Sequence, residues 1–232
     1  MNYSVLMSVY YKEKPEYLRQ SMDSIFAQSI PTDEFVLVCD GPLNDELDNV
    51  IDEMVAAHSD VLKVVRLEKN VGLGNALNQG IKHCRNDLVA RMDSDDIARP
   101  DRCERQLAVF EERSEIGMVS GIVEEFTTDP NIIDVRRVPP EQHEDILKFA
   151  KKRNPFNHPW SIRRKQPEDW HITSIYAFVL LFAINFLDEA GIIISATFLF
   201  AFISFPKLKV DVTGIRECHR GVYCYRFCGI VS

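Results

Sequence analysis

Segments typical of buried β-strands alternate along the chain with segments of helical apolar spacing, and this alternation constrains the fold most. The strand-type segments are short apolar runs at residues 3–9, 35–39, 61–67, 88–92 and 118–123. Helical spacing of apolar residues follows Pro15, spans 43–54 and 73–81, and resumes after Pro100. This alternation predicts an α/β fold with a mostly parallel central sheet flanked by helices.

The fourth strand-type run ends in a cluster of carboxylates. Asp93, Asp95 and Asp96 follow directly on the apolar residues 88–92. Ligands of open α/β sheets bind at the carboxyl ends of the strands, and clustered carboxylates there repel one another unless a cation is present. Oxygen ligands of this kind suit Mg²⁺ or Mn²⁺, which commonly bridge carboxylates to substrate phosphates. An acidic turn whose Asp residues cap neighbouring structure is the alternative interpretation.

Polar residues also follow the other strand-type runs. They are Ser8 and Tyr10 after the first run, Asp40 after the second, and Arg66 with Asn70 after the third. The carboxyl ends of parallel strands share one edge of a sheet. We therefore expect these side chains to lie near residues 93–96 and to form a site with them.

Charge narrows the class of ligand. The 232 residues carry a formal net charge of −8. Residues 1–150 hold 16 basic and 29 acidic side chains, a net charge of −13, whereas residues 151–232 hold 11 and 6, a net charge of +5. An acidic N-terminal part argues against nucleic acid as a partner. It favours an enzyme that takes anionic substrates through a metal ion.

Two common phosphate-binding motifs are missing from the sequence. Leu77 stands where the third glycine of a dinucleotide fingerprint would follow Gly72 and Gly74, and no P-loop pattern occurs. Residues 1–9 lack a basic region followed by a long apolar run. We therefore expect no secretory signal and a cytoplasmic location, in the cytosol or at the inner face of the cell membrane.

Several short motifs occur in a fixed order along residues 1–159. They are Ser4-Val5-x-Met7-Ser8-Val9-Tyr10, Asp40-Gly41, Asn70-x-Gly72-Leu73-x-x-Ala76-Leu77-Asn78-x-Gly80, Ala90-Arg91-Met92-Asp93-Ser94-Asp95-Asp96, Pro100-x-Arg102-x-x-x-Gln106 and Asn157-His158-Pro159. Each motif alone is weak. The set in this order resembles the family 2 glycosyltransferases, which have the GT-A fold.

The resemblance implies an inverting transferase that uses a nucleotide-diphosphate sugar, typically a UDP-sugar, with Mg²⁺ or Mn²⁺. The acceptor would be a polysaccharide or a glycolipid. As a binding partner, this means a saccharide or a lipid-linked acceptor. The resemblance puts Asp95 and Asp93 at the metal and His158 on the acceptor side, and it has Asp40 accept a hydrogen bond from the base. The donor-binding residues that it implies are Ser8, Tyr10, Glu13, Asp40, Asn70, Asn75, Asp93 and Ser94.

Inversion also needs a general base that deprotonates the acceptor hydroxyl. Enzymes of this family usually present it in an acidic pair well beyond the Asn-His-Pro segment. Glu168 and Asp169 come too soon after that segment, and Asp188 and Glu189 lack the usual flanking residues, so the base stays unassigned among these four. Two alternatives follow: a catalytically impaired remnant that still binds nucleotide sugar, and a metal-dependent nucleotidyltransferase, which the absence of glycine from residues 10–14 disfavours.

The sequence pattern changes after residue 159. We expect a nucleotide-sugar-binding α/β domain at 1–125, the start of an acceptor-side region at 126–159, and an atypical apolar segment at 160–232. Two apolar runs in it, 172–187 and 192–205, are each shorter than the roughly 20 residues of a membrane-spanning helix. Membrane association through 172–205, a soluble core, and a segment outside the native reading frame are the three competing interpretations.

Overall fold

The computed structural model describes residues 1–114, 116–140, 145, 148–149, 157 and 160–165, together with one strand near the C-terminus. The strands are β1 (Tyr3–Val9), β2 (Glu34–Cys39), β3 (Leu62–Arg66), β4 (Leu88–Asp93), β5 (Asp96–Ala98), β6 (Met118–Val119), β7 (Ile122–Phe126), β8 (Val135–Arg137), β9 (Ile162–Arg164) and β10 (Tyr223–Phe227). The helices are α1 (Pro15–Phe26), α2 (Asp45–Ala57), α3 (Leu73–Gly80) and α4 (Arg102–Glu112), and a 3₁₀ turn at Ile81–His83 follows α3.

The larger sheet has six strands in the order β3-β2-β1-β4-β9-β6. The first four of these run parallel to one another, whereas β9 is antiparallel to both β4 and β6. Every residue of β1 and β2 is buried, as expected for central strands that are covered on both faces. The predicted α/β class with a mostly parallel central sheet is confirmed.

Helices cover both faces of this sheet, as their apolar spacing predicted. On one face α1, α2 and α4 contribute buried residues such as Leu18, Leu47 and Phe110. On the opposite face α3 packs Ala76 and Leu77 against β1 and β2. In the described part of the chain, no helix combines the length and the apolar character that crossing a bilayer requires.

The run 118–123, which the sequence predicts as one strand, forms two strands in different sheets. β6 joins the larger sheet, and β7 joins a smaller one with the order β5-β10-β7-β8. Between them, Ser120 Oγ donates a hydrogen bond to the carbonyl of Asn157 (3.4 Å), and Asn157 Nδ2 donates to the carbonyl of Gly121 (2.7 Å). Asn157 thus contacts the chain at the point where it leaves one sheet and enters the other.

Residues 160–165 belong to the larger sheet, a role that the sequence pattern did not indicate. Trp160 and Ile162 are fully buried in the same core as β1 and β4. The backbone N–H of Arg91 donates to the carbonyl of Ser161 (2.9 Å), and β9 pairs with β4 over three residues. These contacts attach the segment after the Asn-His-Pro motif directly to the strand that carries the acidic cluster.

Candidate active site

The candidate site lies where four neighbouring parallel strands end. β1 runs between β2 and β4, with Ser8 opposite both Val38 and Asp93. Asp40 directly follows β2, and the acidic cluster begins at the last residue of β4. Ser8 and Asp40 are buried, whereas Tyr10 is 42% exposed. The strand ends therefore bring together residues that are more than 80 positions apart in the sequence.

Three carboxylates form the centre of this edge. Asp93, Asp95 and Asp96 each offer a carboxylate oxygen, and these oxygens lie within 4.8 Å of one another. Asp93 and Asp95 are half-buried, whereas Asp96 lies in β5 and has no exposed surface. All three belong to the carboxylate cluster that the sequence indicates, of which the family resemblance assigns Asp95 and Asp93 to the metal.

A buried arginine, Arg91, lies beside the cluster in a role that the sequence motifs did not indicate. Arg91 donates to Asp93 Oδ1 at 2.7 Å. Burial lowers the pKa of Arg91, and the nearby carboxylates of Asp93 and Asp96 oppose that shift. A guanidinium remains charged after such a shift, so Arg91 offsets part of the negative charge. Its spacing of two residues from Asp93, which puts both side chains on one face of a strand, could have revealed the pair.

The segment after β1 is attached to the acidic loop by two hydrogen bonds. Ser94 Oγ donates to Glu13 Oε2 at 2.6 Å, and Ser21 Oγ of α1 donates to the backbone carbonyl of Asp93 at 2.8 Å. The structure thus brings the predicted residues Glu13 and Ser94 into direct contact. Tyr10 packs edge-to-face against Tyr11, with ring centroids 5.8 Å apart.

On the other side of β1, Asp40 contacts the turn that precedes α3. Its carboxylate accepts hydrogen bonds from the backbone N–H groups of Val71 (2.7 Å) and Gly72 (3.0 Å). The predicted residue Asn70 donates through Nδ2 to the carbonyl of Asp40 at 3.2 Å. Asn75 of α3 donates instead to the carbonyl of Val71, in the turn before the helix (2.9 Å), so of these two residues Asn70 is the one with a hydrogen bond to Asp40.

Residues of the Pro100-x-Arg102-x-x-x-Gln106 motif contact the backbone of β4. Arg102 is fully buried and donates to the backbone carbonyl of Arg91 at 2.7 Å. Its guanidinium lies 5.0 Å from the ring centroid of Trp160, and Gln106 connects Arg102 Nε (3.1 Å) to the carbonyl of Trp160 (2.8 Å). The motif therefore joins α4, β4 and the segment around Trp160 into one support for the acidic cluster.

Other predicted residues lie outside the described part of the chain. They are His158 on the acceptor side, the four base candidates Glu168, Asp169, Asp188 and Glu189, and the apolar stretch 172–205.

Comparison with known proteins identifies related sequences and folds. The family model described as glycosyl transferase family 2 matches residues 4–178. The amylovoran biosynthesis glycosyltransferase AmsE of Erwinia amylovora is 42% identical over 70% of this chain and 60% of its own length. The UDP-Gal:alpha-D-GlcNAc-diphosphoundecaprenol beta-1,3-galactosyltransferase of Escherichia coli is 40% identical over 68% of this chain and 56% of its own length. The chain thus spans less than two thirds of the length of these curated relatives.

A solved structure shares the fold. The mannosyltransferase PcManGT from Pyrobaculum calidifontis, solved in complex with GDP-Man and Mn²⁺, matches with a TM-score of 0.51 and 17% sequence identity. The match covers 70% of this chain and 44% of the mannosyltransferase. At this identity the likeness is one of fold, and it agrees with the GT-A architecture that the motifs predicted.

Proposed function

The chain belongs to glycosyl transferase family 2, and from this membership we propose that it transfers a sugar from a nucleotide-diphosphate donor to a polysaccharide or glycolipid acceptor. We propose UDP as the nucleotide, Mg²⁺ or Mn²⁺ as the metal, and inversion at the anomeric carbon. One observation carries the proposal: three carboxylates cluster at the shared edge of four parallel strands, where α/β folds bind ligands. Family membership sets aside the nucleotidyltransferase alternative.

The names of two relatives support the donor and acceptor classes. The Escherichia coli relative is named for UDP-Gal and for an acceptor linked to diphosphoundecaprenol, and the Erwinia relative for amylovoran biosynthesis. A lipid-linked acceptor would place this chain at the cytoplasmic face of a membrane. Because the matches cover only part of each relative, the activity of the whole enzyme belongs to this proposal.

The acidic cluster has the chemistry that a divalent metal ion needs. Its carboxylate oxygens are close enough to share one ion, and hard oxygen ligands suit Mg²⁺ and Mn²⁺. We assign Asp95 as the principal ligand, as the family resemblance implies; its side chain is half-buried, whereas Asp96 is fully buried. When bound, the ion would neutralise the negative charge that develops on the departing diphosphate.

The residues around the cluster would bind and orient the donor. In this proposal the Asp40 carboxylate accepts a hydrogen bond from an N–H of the base, while Ser8 and Tyr10 line the nucleoside pocket. The Glu13–Ser94 hydrogen bond holds the segment after β1 against the acidic loop. The general base that accepts the acceptor's proton stays among Glu168, Asp169, Asp188 and Glu189.

Calorimetric titration of UDP into the full-length chain, with and without Mn²⁺, tests the proposal. We expect Mn²⁺ to strengthen UDP binding, Asp95→Asn to abolish that gain, and the control Asp52→Asn on the exposed face of α2 to leave it unchanged. Equal UDP affinity in both conditions would rule out the metal role. Incubation with UDP-sugars and a lipid extract then measures transfer. Binding of UDP without transfer would favour the impaired remnant over an active enzyme.

A further inference from the structure

The turn at residues 69–72 is held closed against the end of β2. Asp40 is 3% exposed, and each of its two carboxylate oxygens accepts one backbone N–H from this turn, that of Val71 or of Gly72. The Asp40 carbonyl also accepts from the Asn70 side chain. The carboxylate is therefore fixed by the turn rather than by residues of its own strand.

Gly41 is the residue that makes this closure possible. Its φ is +88°, and a Cβ built there would lie 2.6 Å from the backbone nitrogen of Asn70 and 3.0 Å from the carbonyl carbon of Lys69. Contacts this short are with backbone, which cannot rotate away as a side chain could. A side chain at position 41 would thus push the turn off Asp40. The same construction at Gly74 in α3 meets nothing within 4 Å.

The closed turn also brings the Asp40 carboxylate to the start of α3. Gly72 is the N-cap of this helix and offers no side chain to accept its free N–H groups, which normally need a capping acceptor. Asp40, from a different element, places a negative charge near this end of the helix and accepts from the N–H of Gly72, the N-cap, and from that of Val71 before it. An ionised carboxylate has about four lone-pair positions, so two remain for a ligand once the turn has used two.

We propose that Gly41 is a positioning residue for the donor nucleotide: it allows the turn 69–72 to close, and the closed turn fixes Asp40 as an acceptor for the base. This inference rests on the proposed function. A fixed carboxylate can only accept, so it selects bases that present a ring N–H, such as uracil, over bases that present a ring acceptor there, such as cytosine.

Gly41→Ala tests the proposal, with Gly74→Ala as the matched control. We expect Gly41→Ala to weaken UDP binding by about tenfold or more, because the acceptor is no longer held in place. The preference for UDP over CDP should shrink in the same variant, which a general loss of stability would not cause. Hydrogen exchange at the amides of Val71 and Gly72 should quicken. Gly74→Ala should stay within about twofold of the wild type in UDP affinity.

Asp40→Asn provides a second test should Gly41→Ala fail to fold. It keeps the size of the side chain but replaces one acceptor with a donor, so one of the two turn contacts and the base preference should be lost together. Faster amide exchange with unchanged UDP affinity and unchanged preference, in either variant, would overturn the positioning role. Wild-type protein that binds no UDP would instead overturn the proposed function, and the exchange rates at Val71 and Gly72 would still decide whether Gly41 closes the turn.

Discussion

Replacing Trp160 should destabilise the whole folded unit, although this residue follows the last recognisable motif. Trp160 has no exposed surface, and its ring lies under the guanidinium of Arg102, 5.0 Å from centroid to guanidinium carbon. The hydrogen bond from Gln106 goes to its backbone carbonyl and survives any substitution. A change at position 160 therefore tests the contacts of the side chain, which are its packing and the contact with Arg102.

The expected cost follows from these contacts. Truncating a fully buried aromatic side chain to alanine costs about 3–5 kcal/mol of unfolding free energy, and loss of a buried cation–π contact adds about 1–2 kcal/mol. Trp160→Ala should thus lose about 4–7 kcal/mol, a large part of the 5–15 kcal/mol that is typical of a domain. The indole Nε1 has no hydrogen-bond partner among the described residues, so Trp160→Phe breaks no hydrogen bond and should cost only about 1–2 kcal/mol.

Urea unfolding followed by far-ultraviolet circular dichroism measures both variants, since removal of Trp160 alters the fluorescence signal. Ile132→Ala is the control, because Ile132 is 64% exposed and surface changes stay within about 0.5 kcal/mol. If Trp160→Ala unfolds within about 1 kcal/mol of the wild type, residues 160–165 do not belong to the core, and the support of β4 by this segment is refuted.

Two further outcomes are expected. Arg91→Met removes the cation paired with Asp93, so the carboxylates should attract a divalent ion more strongly, and Mn²⁺ should raise the melting temperature more than in the wild type; an equal or smaller rise would contradict the counter-ion role. Burial raises the pKa of Cys39 from 9.0 to about 11, so the unfolded state loses this thiol proton first and the unfolding free energy falls between pH 9 and 11; urea titrations across this range should show a shallower fall for Cys39→Ala than for the wild type.

The parts of the fold that could be predicted from the sequence are those in which neighbouring residues share one environment. The helix beginning at Pro15 and the strands around Val5 and Val36 were predicted to within a residue or two. Each has a long apolar run or a clear helical period, and each contributes buried residues to the core on the faces of the larger sheet. In such elements the spacing of apolar residues along the sequence indicates which residues are buried.

The short strands could not be predicted in this way. β8 reads Val-Arg-Arg and β9 reads Ile-Arg-Arg, and three residues with two charges carry no period. Their strand character comes from partners that are distant in the sequence, such as Leu88 opposite Arg164. Arg163 can enter the sheet because its guanidinium titrates so high that burial, although it lowers the pKa to about 10, leaves it charged at neutral pH.

The candidate site shows the same division between local and distant information. The motif Asp40-Gly41 is visible in the sequence, and it predicts a turn after an apolar strand. The need for glycine at position 41 depends on where Asn70 lies, 29 positions later, because the backbone of Asn70 leaves no room for a Cβ at Gly41. Likewise, Asp96 resembles a capping residue until β5 is known to bury it beside Asp93 and Asp95. Sequence motifs therefore predicted which carboxylates meet at the strand ends, whereas the residues that hold them in place became identifiable only once the strand ends were brought together.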